Sequence, residues 1–466
     1  MREELTGKIL KQKGQTTLEI LIAVAIIVMG LSAAIMTFIG GQSLTIDTRM
    51  SNRAVLSARE MLENAERNAA LNFNGLKSSS STEDIFKKEI FVTDFELHQK
   101  EVISRVSWQT DPLRIQKVEL TSLVTNWRAL LESGGDTGGE DPSGDWQNPR
   151  TLGSVDLGPG NAATDLDIKN KIVYMTAVAA ATAKPDFFVI SAINGQSPMI
   201  LGSTSTGPGL LAVDTAENYA YVGNNDPDIQ LQIIDLTNLN RPTLVKSFQL
   251  NGVTGSGAVG NAIFYSASKI YIGTKNANGP EFHIIDVSDP INPIELGSYE
   301  INADLNMIYI SGDTAFLATS DDNAEVILLD VNNPAAITNK GLFNLSNAAD
   351  GLSVYLTGLN LYVGRSASGD PEFYILDVSN PSAIQILGNY NTDADINGIL
   401  VRDKYTFLGT SDSNKEFQVL NIENPANITA VSSFNFPQVA TGIDYENNRV
   451  YTAVRSNDAL RIITSQ

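Results

Sequence analysis

The pattern of apolar and polar positions divides the chain into three regions. Residues 20–39 are apolar almost without interruption, and a helix of that length spans roughly 30 Å. Apolar positions then recur at helical spacing as far as Ala69, and strand-like runs follow as far as Trp127. From residue 148 onward, short strand-like runs alternate with turns rich in Gly, Asn, Asp and Pro. The pattern predicts a long hydrophobic α-helix with a small antiparallel β-sheet (α+β), followed by an all-β repeat array.

A basic leader precedes the apolar run. Residues 1–14 hold four basic residues against two glutamates and end at Gly14. Glu19 stands at the start of the apolar run, where a carboxylate costs on the order of a few kcal/mol unless it is paired or near an interface. An ordinary secretory signal peptide has a shorter apolar core, followed by a small-residue cleavage site. The segment is therefore unlike an ordinary signal peptide.

The segment from Lys13 to Ile39 resembles the class III signal peptide of type IV pilins and pseudopilins. This resemblance implies that a prepilin peptidase cuts after Gly14 and that Gln15 becomes the N-terminus. It also implies that Glu19 neutralises the N-terminal amine of a neighbouring subunit during assembly. The family usually has Phe or Met where this chain has Gln15, which leaves methylation or cyclisation of the new N-terminus open.

The same resemblance sets expectations for partners and location. The helix would span the inner membrane once before assembly, and would then contact other pilin subunits in an extracellular filament with the C-terminal domain outside. The strand-like runs that end at Trp108 and Trp127 resemble the sheet of minor pilins of the PilV type. The expected domains are a cleaved leader at 1–14, a pilin-like helix and sheet at 15–131, a flexible acidic linker at 132–147 and a repeat domain at 148–466.

The repeat domain contains seven similar units. Their aligned anchor positions are 43 to 51 residues apart, at Ser191, Asp235, Asp286, Asp330, Asp377, Asn421 and Thr464. Each unit is the size of a four-stranded propeller blade. The wording IIDVSDP, LLDVNNP and ILDVSNP resembles LVIVD-repeat propellers.

The ends of the array favour seven blades over six. The last unit stops after its third strand, and NPRTLGSVDL at 148–157 matches the outer strand NPIELGSYEI at 292–301. The first strand would therefore complete the last blade and remove the free sheet edges. Six blades with one degenerate unit is the alternative, because the first unit has Ser191 at the anchor position.

Composition limits the chemistry. The net charge is −21, and most of it falls after residue 149, so binding of nucleic acid by the propeller is not expected. There is no cysteine and there are only two histidines, which disfavours thiolate chemistry and His-based catalytic triads. No cluster of His, Tyr, Arg or carboxylates on the central channel is evident from the sequence, and we predict no catalysis.

The loops between the second and third strands and those between blades are acidic and rich in Asn. They should share one face of the disc, which is either a solvated surface or a site for a partner or Ca²⁺. No loop has the EF-hand spacing, so no cofactor is predicted with the chain and calcium stays an alternative. The candidate binding-face residues are Asp226, Asp228, Asp304, Asp321, Asp322, Glu325, Asp350, Asp370, Glu372, Asp393, Asp395, Asp412 and Glu416.

Other polar positions are interpreted as structural. The aspartates that open the turns after the third strands, such as Asp286, Asp330 and Asp377, should bond their own turn backbones. His283 lies within a third strand and is expected in the core.

Taken together, the sequence predicts a minor pilin-like subunit that presents a seven-bladed propeller for adhesion to a surface protein or glycan. Two alternatives are an unassembled, membrane-anchored propeller scaffold and a propeller enzyme that acts on surface glycans.

Overall fold

The computed structural model describes residues 29, 31–32, 48–69, 76–96, 99–111, 114–125, 142–179 and 184–466. The chain divides into two compact units, Met1–Trp127 and Arg128–Gln466. The predicted processing residues Gly14, Gln15 and Glu19 lie outside the described residues, as does the linker up to residue 141.

The first unit places a helix against an antiparallel sheet. The helix α1 is described over 48–69. The sheet has the order β1-β2-β3-β4. Its strands are β1 (Ser79–Glu83), β2 (Phe86–Glu96), β3 (Gln99–Asp111) and β4 (Arg114–Thr125). The predicted sheet is present, and its first strand begins within the serine run at 78–81.

Small residues on α1 allow this close packing. Ala54 and Ala58 lie with Phe86, Val106 and Trp108 in one buried cluster. Two turns further along, the helix packs its alanines on the other end of the same sheet in a second cluster, which contains Ala65, Ala69, Leu76, Ile90, Val102 and Val124. The buried positions recur at helical spacing, so α1 is amphipathic rather than apolar on all sides.

The predicted long hydrophobic helix is corrected by this structure. The one multi-turn helix of the described residues is α1, which is short and carries charged residues such as Arg59 and Glu63 on its exposed side. No helix among the described residues is long and apolar enough to cross a membrane. The predicted single-pass inner-membrane location, and the extracellular location that followed from it, are therefore wrong on this structure. Most of the apolar run at 20–39 lies outside the described residues.

The second unit is a propeller of seven four-stranded antiparallel sheets. Blade 1 contains β6 (Asn161–Lys169), β7 (Ile172–Ala179), β8 (Phe187–Ser191) and β9 (Met199–Thr204). Blade 2 contains β10 (Leu210–Ala216), β11 (Tyr219–Asp226), β12 (Ile229–Asp235) and β13 (Thr243–Phe248). Blade 3 contains β14 (Gly260–Ser266), β15 (Lys269–Thr274), β16 (Phe282–Asp286) and β17 (Ile294–Tyr299).

The next three blades follow the same order. Blade 4 contains β18 (Leu305–Ser311), β19 (Thr314–Thr319), β20 (Val326–Asp330) and β21 (Thr338–Phe343). Blade 5 contains β22 (Gly351–Thr357), β23 (Asn360–Arg365), β24 (Phe373–Asp377) and β25 (Gln385–Tyr390). Blade 6 contains β26 (Ile396–Arg402), β27 (Tyr405–Thr410), β28 (Phe417–Asn421) and β29 (Thr429–Phe434). One-turn 3-10 helices lie at Pro334–Ala336 and Pro425–Asn427.

Blade 7 joins the two ends of the repeat array. It contains β30 (Ala440–Glu446), β31 (Arg449–Val454), β32 (Asp458–Thr464) and the early strand β5 (Arg150–Asp156). Strand β5 pairs antiparallel with β32, with Val155 opposite Leu460 and Gly153 opposite Ile462. This pairing confirms the predicted closing strand and the count of seven blades.

Residues 142–148 are bound to the propeller. Asp145 and Gln466 exchange two backbone hydrogen bonds, of 3.0 and 3.2 Å. The side chain of Trp146 is fully buried in a cluster with Phe407 and Phe417. The C-terminal end of the segment that the sequence assigns to a flexible linker is therefore part of the propeller's packing.

The repeated glycine of the outer strands has a packing reason. A Cβ atom at Gly297 would lie 1.8 Å from the carbonyl oxygen of Pro334, in the turn of the next blade. The equivalent Gly388 would place a Cβ 1.8 Å from the carbonyl oxygen of Pro425. Backbone therefore contacts backbone between neighbouring blades, and a side chain does not fit there.

Candidate functional site at the channel mouth

The turns after the third strands are structural, as predicted. Asp286, Asp330 and Asp377 each accept a hydrogen bond from the backbone N–H two residues later, at 2.8 to 3.0 Å. Hydrogen bonds to the charged form lower the pKa of all three carboxyls, mainly these backbone bonds for Asp286 and Asp330, and for Asp377 first the Ser379 hydroxyl and then its backbone N–H. His283 is fully buried, and its ring nitrogens lie 2.8 Å from Glu295 Oε1 and 2.8 Å from the carbonyl oxygen of Pro280. Its predicted place in the core is confirmed.

Three of the candidate binding-face residues are buried within the blades. Glu325, Glu372 and Glu416 each accept a hydrogen bond from a backbone N–H twenty residues later, in the connection to the next blade. The same bond recurs in three further blades, where Asp186, Gln230 and Glu281 accept from the backbone N–H groups of Thr206, Leu250 and Ile301, respectively. These side chains fasten blade connections, and we interpret their role as structural.

The other candidate binding-face residues lie partly or fully exposed on the loops. Asp226, Asp321 and Asp412 accept bonds from their own turn backbones. Asp304 and Asp395 accept bonds from Asn276 and Ala367 of the preceding blade. Burial, with the carboxylates of Asp304, Asp322 and Asp395, raises the pKa of Asp350. Asp228, Asp322, Asp370 and Asp393 complete the set, and whether this face binds a partner stays a prediction.

A cavity of about 1180 Å³ opens at the opposite end of the central channel. It is lined by the C-terminal ends of the inner strands of the seven blades and by several of the turns that follow them. One position on each inner strand, opposite an aromatic residue of the second strand, forms a ring around the mouth. Beginning at blade 7 and continuing through blades 1 to 6, the ring residues are Asp444, Asp167, Asp214, Phe264, Tyr309, Tyr355 and Leu400.

Three consecutive blades supply aspartates, which we call the acidic arc (Asp444, Asp167 and Asp214). Each carboxylate accepts a hydrogen bond from a backbone N–H of the next inner strand. The distances from Oδ2 to the backbone nitrogen are 2.9 Å to Ile168, 2.9 Å to Thr215 and 2.6 Å to Tyr265, respectively. The acidic arc therefore joins neighbouring blades and also presents negative charge to the cavity.

The carboxylates of this region crowd one another. Burial, and next the nearby Asp167 carboxylate, raise the pKa of Asp214 to about 8. Asp165 lies two residues before Asp167 on the same strand. Burial raises the pKa of Asp165 to about 7, although the hydrogen bond from the Val213 N–H lowers it. Lys169 donates from Nζ to the Thr215 carbonyl at 2.6 Å and partly offsets the charge near Asp214. Burial is the main cause of the raised pKa of both Asp165 and Asp214, and the carboxylate of Asp167 adds to it.

The following three blades supply rings, which we call the aromatic arc (Phe264, Tyr309 and Tyr355). The ring centroids are 5.3 Å apart between Phe264 and Tyr309, and 5.6 Å apart between Tyr309 and Tyr355. Arg402, in the next blade, donates to the Tyr355 hydroxyl, and its guanidinium lies 5.1 Å from the centroid of the Tyr445 ring. The mouth thus has an acidic side and an aromatic side.

The expectation that no Tyr, Arg and carboxylate cluster converges on the channel is wrong. The sequence contains the signal, at the position two residues before the end of each inner strand. An alignment of the units on the hairpin turn after the inner strand would have shown Asp, Asp, Phe, Tyr, Tyr, Leu and Asp there. Alignment of the units on the third strand hides this signal, because the blades have similar sequences in that strand but differ at the ring position.

Calcium gains no support from the geometry. Within the described ranges, no group of three or more His, Asp or Glu side chains is placed to hold a metal ion.

Substitution of Asp214 by Asn should change how stability depends on pH. The folded protein holds this proton more tightly than the unfolded chain, between the ordinary pKa of 3.8 and the folded value of about 8. The unfolding free energy that this group contributes is therefore fully present below pH 3.8 and lost as the pH rises to about 8. Asn keeps an acceptor for the Tyr265 N–H without the charge. We expect the unfolding free energy of Asp214→Asn, relative to that of the wild type, to rise by about 1 to 3 kcal/mol between acidic pH and pH 8.

Urea titrations at several pH values measure this difference directly. Asp322→Asn is the matched control, because it removes an exposed carboxylate from the other face of the disc. Parallel stability curves for Asp214→Asn and the wild type would show that burial does not hold a proton on Asp214.

Comparison with known proteins supports the architecture. The LVIVD repeat model matches residues 212–249, 270–301 and 352–392. The propeller is similar to a WD40 β-propeller domain of Doa1, with a TM-score of 0.51 and 11% identity over 68% of this chain and 97% of that chain. It is also similar to a catalytically inactive virginiamycin B lyase from Staphylococcus aureus with quinupristin, with a TM-score of 0.52 and 13% identity over 68% of this chain and 100% of that chain. A chain of a mitotic checkpoint complex matches with a TM-score of 0.51 and 13% identity, over 70% of this chain and 96% of that chain.

No curated protein matches the chain. The chain contains LVIVD repeats and has a β-propeller fold. Sequence identities of 11% to 13% to the solved structures indicate a shared fold only. Because these similar structures include both an enzyme and a WD40 domain, the predicted lack of catalysis stays a prediction.

Proposed function

We propose that this protein is a recognition subunit of the pilin kind, in which the propeller binds a partner at its channel mouth and performs no catalysis. The observation that carries the recognition part is a contrast between two sets of positions. One set is structural and repeats along the blades, and we call it the propeller frame; the other is the ring of positions at the channel mouth. The propeller frame recurs in most of the blades. It consists of the turn aspartates, the outer-strand glycines and the buried side chains that bond the blade connections. The ring position changes from Asp to Phe, Tyr and Leu around one opening.

This contrast favours binding over a purely structural role. A ring that served packing alone could keep one kind of residue in most blades, as the frame positions do. Here the chemistry is graded around a cavity of about 1180 Å³, a size suited to a small molecule or to a few side chains of a partner. A surface protein or a glycan is the proposed kind of partner, and nucleic acid is disfavoured by the net charge of −21.

The pilin part of the proposal is supported by the N-terminal sequence. Gly14 and Glu19 match the class III signal at the cleavage site and at the assembly acid, and Gln15 would be the new N-terminus, where the family usually has Phe or Met. The proposed partners are a prepilin peptidase and other pilin subunits.

Co-expression with a prepilin peptidase tests this processing. We expect the intact mass of the purified protein to correspond to a chain that begins at Gln15. Gly14→Leu should retain the leader, because it replaces the glycine after which the pilin resemblance places the cut, while Gly7→Leu, in the same leader, should be processed normally. A wild-type protein that keeps residues 1–14, or is cut elsewhere, would contradict the pilin part of the proposal.

A further inference from the structure

The two sides of the channel mouth differ in the ligand groups that they can accept. The acidic arc presents carboxylates from three adjacent blades, and the aromatic arc presents rings from the next three. Both arcs belong to one cavity and lie at the same level of the inner strands. A ligand that contacts both arcs must therefore combine a group that binds carboxylates with a body that packs against aromatic rings.

Above the raised pKa values of Asp165 and Asp214, the charge of the lining favours a cation. The acidic members outnumber the basic members, five against three: Asp165, Asp167, Asp214, Asp444 and Glu446 against Lys169, Lys171 and Arg402. Two of the basic groups already have partners within the wall, since Lys169 bonds the Thr215 carbonyl and Arg402 bonds the Tyr355 hydroxyl. The crowded carboxylates would gain from a positive group supplied by a ligand.

The aromatic side favours the same class of ligand. Arg402 already lies with its guanidinium carbon 6.0 Å from the Tyr355 ring centroid and 5.1 Å from that of Tyr445. A cation near an aromatic face is stabilised by the ring quadrupole, and apolar bodies pack on the same rings. Phe264 is only partly buried, so part of its ring faces the cavity.

We propose that the channel mouth binds an organic ammonium ion carried on an aromatic or apolar body. The ammonium lies against Asp167 and Asp214, and the body packs against the aromatic arc. The ligand is either a free amine or the basic side chain of a polypeptide, since both present the same group. This inference rests on the recognition part of the proposed function and is independent of processing at Gly14.

Calorimetric titration of the full chain with three probes tests the proposal. The probes are 2-phenylethylamine, neutral 2-phenylethanol and anionic 3-phenylpropionate, at a pH of about 8.5, where the amine stays charged. We expect the amine to bind at least about tenfold more tightly than the alcohol, as a hydrogen bond to a charged group requires. A peptide containing adjacent Phe and Lys, with blocked ends, distinguishes the two ligand sources: whichever of the two probes binds more tightly indicates the source.

Variants of both arcs locate the binding. Asp214→Asn should weaken amine binding by about tenfold, and Phe264→Leu by about threefold to tenfold. Asp403→Asn is the matched control, because Asp403 is an exposed turn residue at the same end of the disc but outside the cavity lining. Its affinity should equal that of the wild type.

The failures of the two proposals are distinguishable. Equal binding of amine and alcohol, or preference for the anionic probe, would overturn the ammonium class but leave the mouth as a ligand site. Amine binding that survives both arc variants would overturn the assignment to this cavity. The comparison of the three probes on the wild type decides the class even if a variant does not fold.

Discussion

A chain that begins at residue 158 is expected to lose cooperative folding, whereas a chain that begins at Pro142 keeps it. The shorter chain lacks β5, which supplies the outer strand of blade 7. It loses the ladder to β32, the buried side chains of Val155 and Leu157 and the bond from the Leu157 N–H to the Asn457 carbonyl at 2.7 Å. Closure by β5 is worth a large part of the roughly 5 to 15 kcal/mol that a domain of this kind has in total.

Thermal denaturation followed by circular dichroism, with size-exclusion chromatography, compares the two chains. The chain from residue 158 exposes the edge of β32 and should aggregate. A synthetic peptide of residues 148–157, added in trans, should restore a folded species by strand addition. A melting temperature equal to that of the longer chain would show that closure by β5 is dispensable.

Trp146→Ala is expected to lower the unfolding free energy of the propeller by about 3 to 5 kcal/mol. The indole is fully buried, and its ring centroid lies 4.7 Å from that of Phe407 in an edge arrangement. Its Nε1 has no hydrogen-bond partner among the residues that the structure describes, so the contribution that we expect is that of apolar packing. Removal of the ring leaves a cavity between residues 142–148 and blade 6.

Trp146→Phe provides the matched control for the loss of volume. It keeps an aromatic ring against Phe407 and should cost about 1 to 2 kcal/mol. Urea titrations of the full chain measure both values. A loss below about 1 kcal/mol for Trp146→Ala would mean that residues 142–148 do not anchor the propeller.

The propeller frame is predictable because local chemistry repeats in it. The turn bonds of Asp286, Asp330 and Asp377 need only an acceptor two residues before a backbone N–H, which a sequence displays directly. The closing strand is predictable because NPRTLGSVDL carries the outer-strand pattern at the wrong end of the array.

Features that depend on distant contacts were missed. Trp146 lies in a Gly- and Asp-rich segment whose composition is typical of a linker, and its burial depends on Phe407, far along the chain. Glu325, Glu372 and Glu416 appear among acidic loop residues, and only the fold shows that each is buried on a backbone N–H twenty residues away. The serines at 79–81 have weak strand propensity, and their pairing with β2 places them in β1.

The ring at the channel mouth was missed for a different reason. Each blade contributes one ring residue, and successive ring residues are about one blade apart in sequence, so no local motif joins Asp167 to Asp214 or to Phe264. Closure of the seven blades brings them to one opening.

Photo-crosslinking of the full chain with 4-azidophenethylamine, followed by peptide mapping, tests most directly that the channel mouth is the ligand site. The account predicts labelled peptides that contain Phe264, Tyr309 or Tyr355, with labelling suppressed by an excess of 2-phenylethylamine but not of 2-phenylethanol. Labels confined to the acidic loops of the other face, such as those around Asp322 and Asp393, would contradict it.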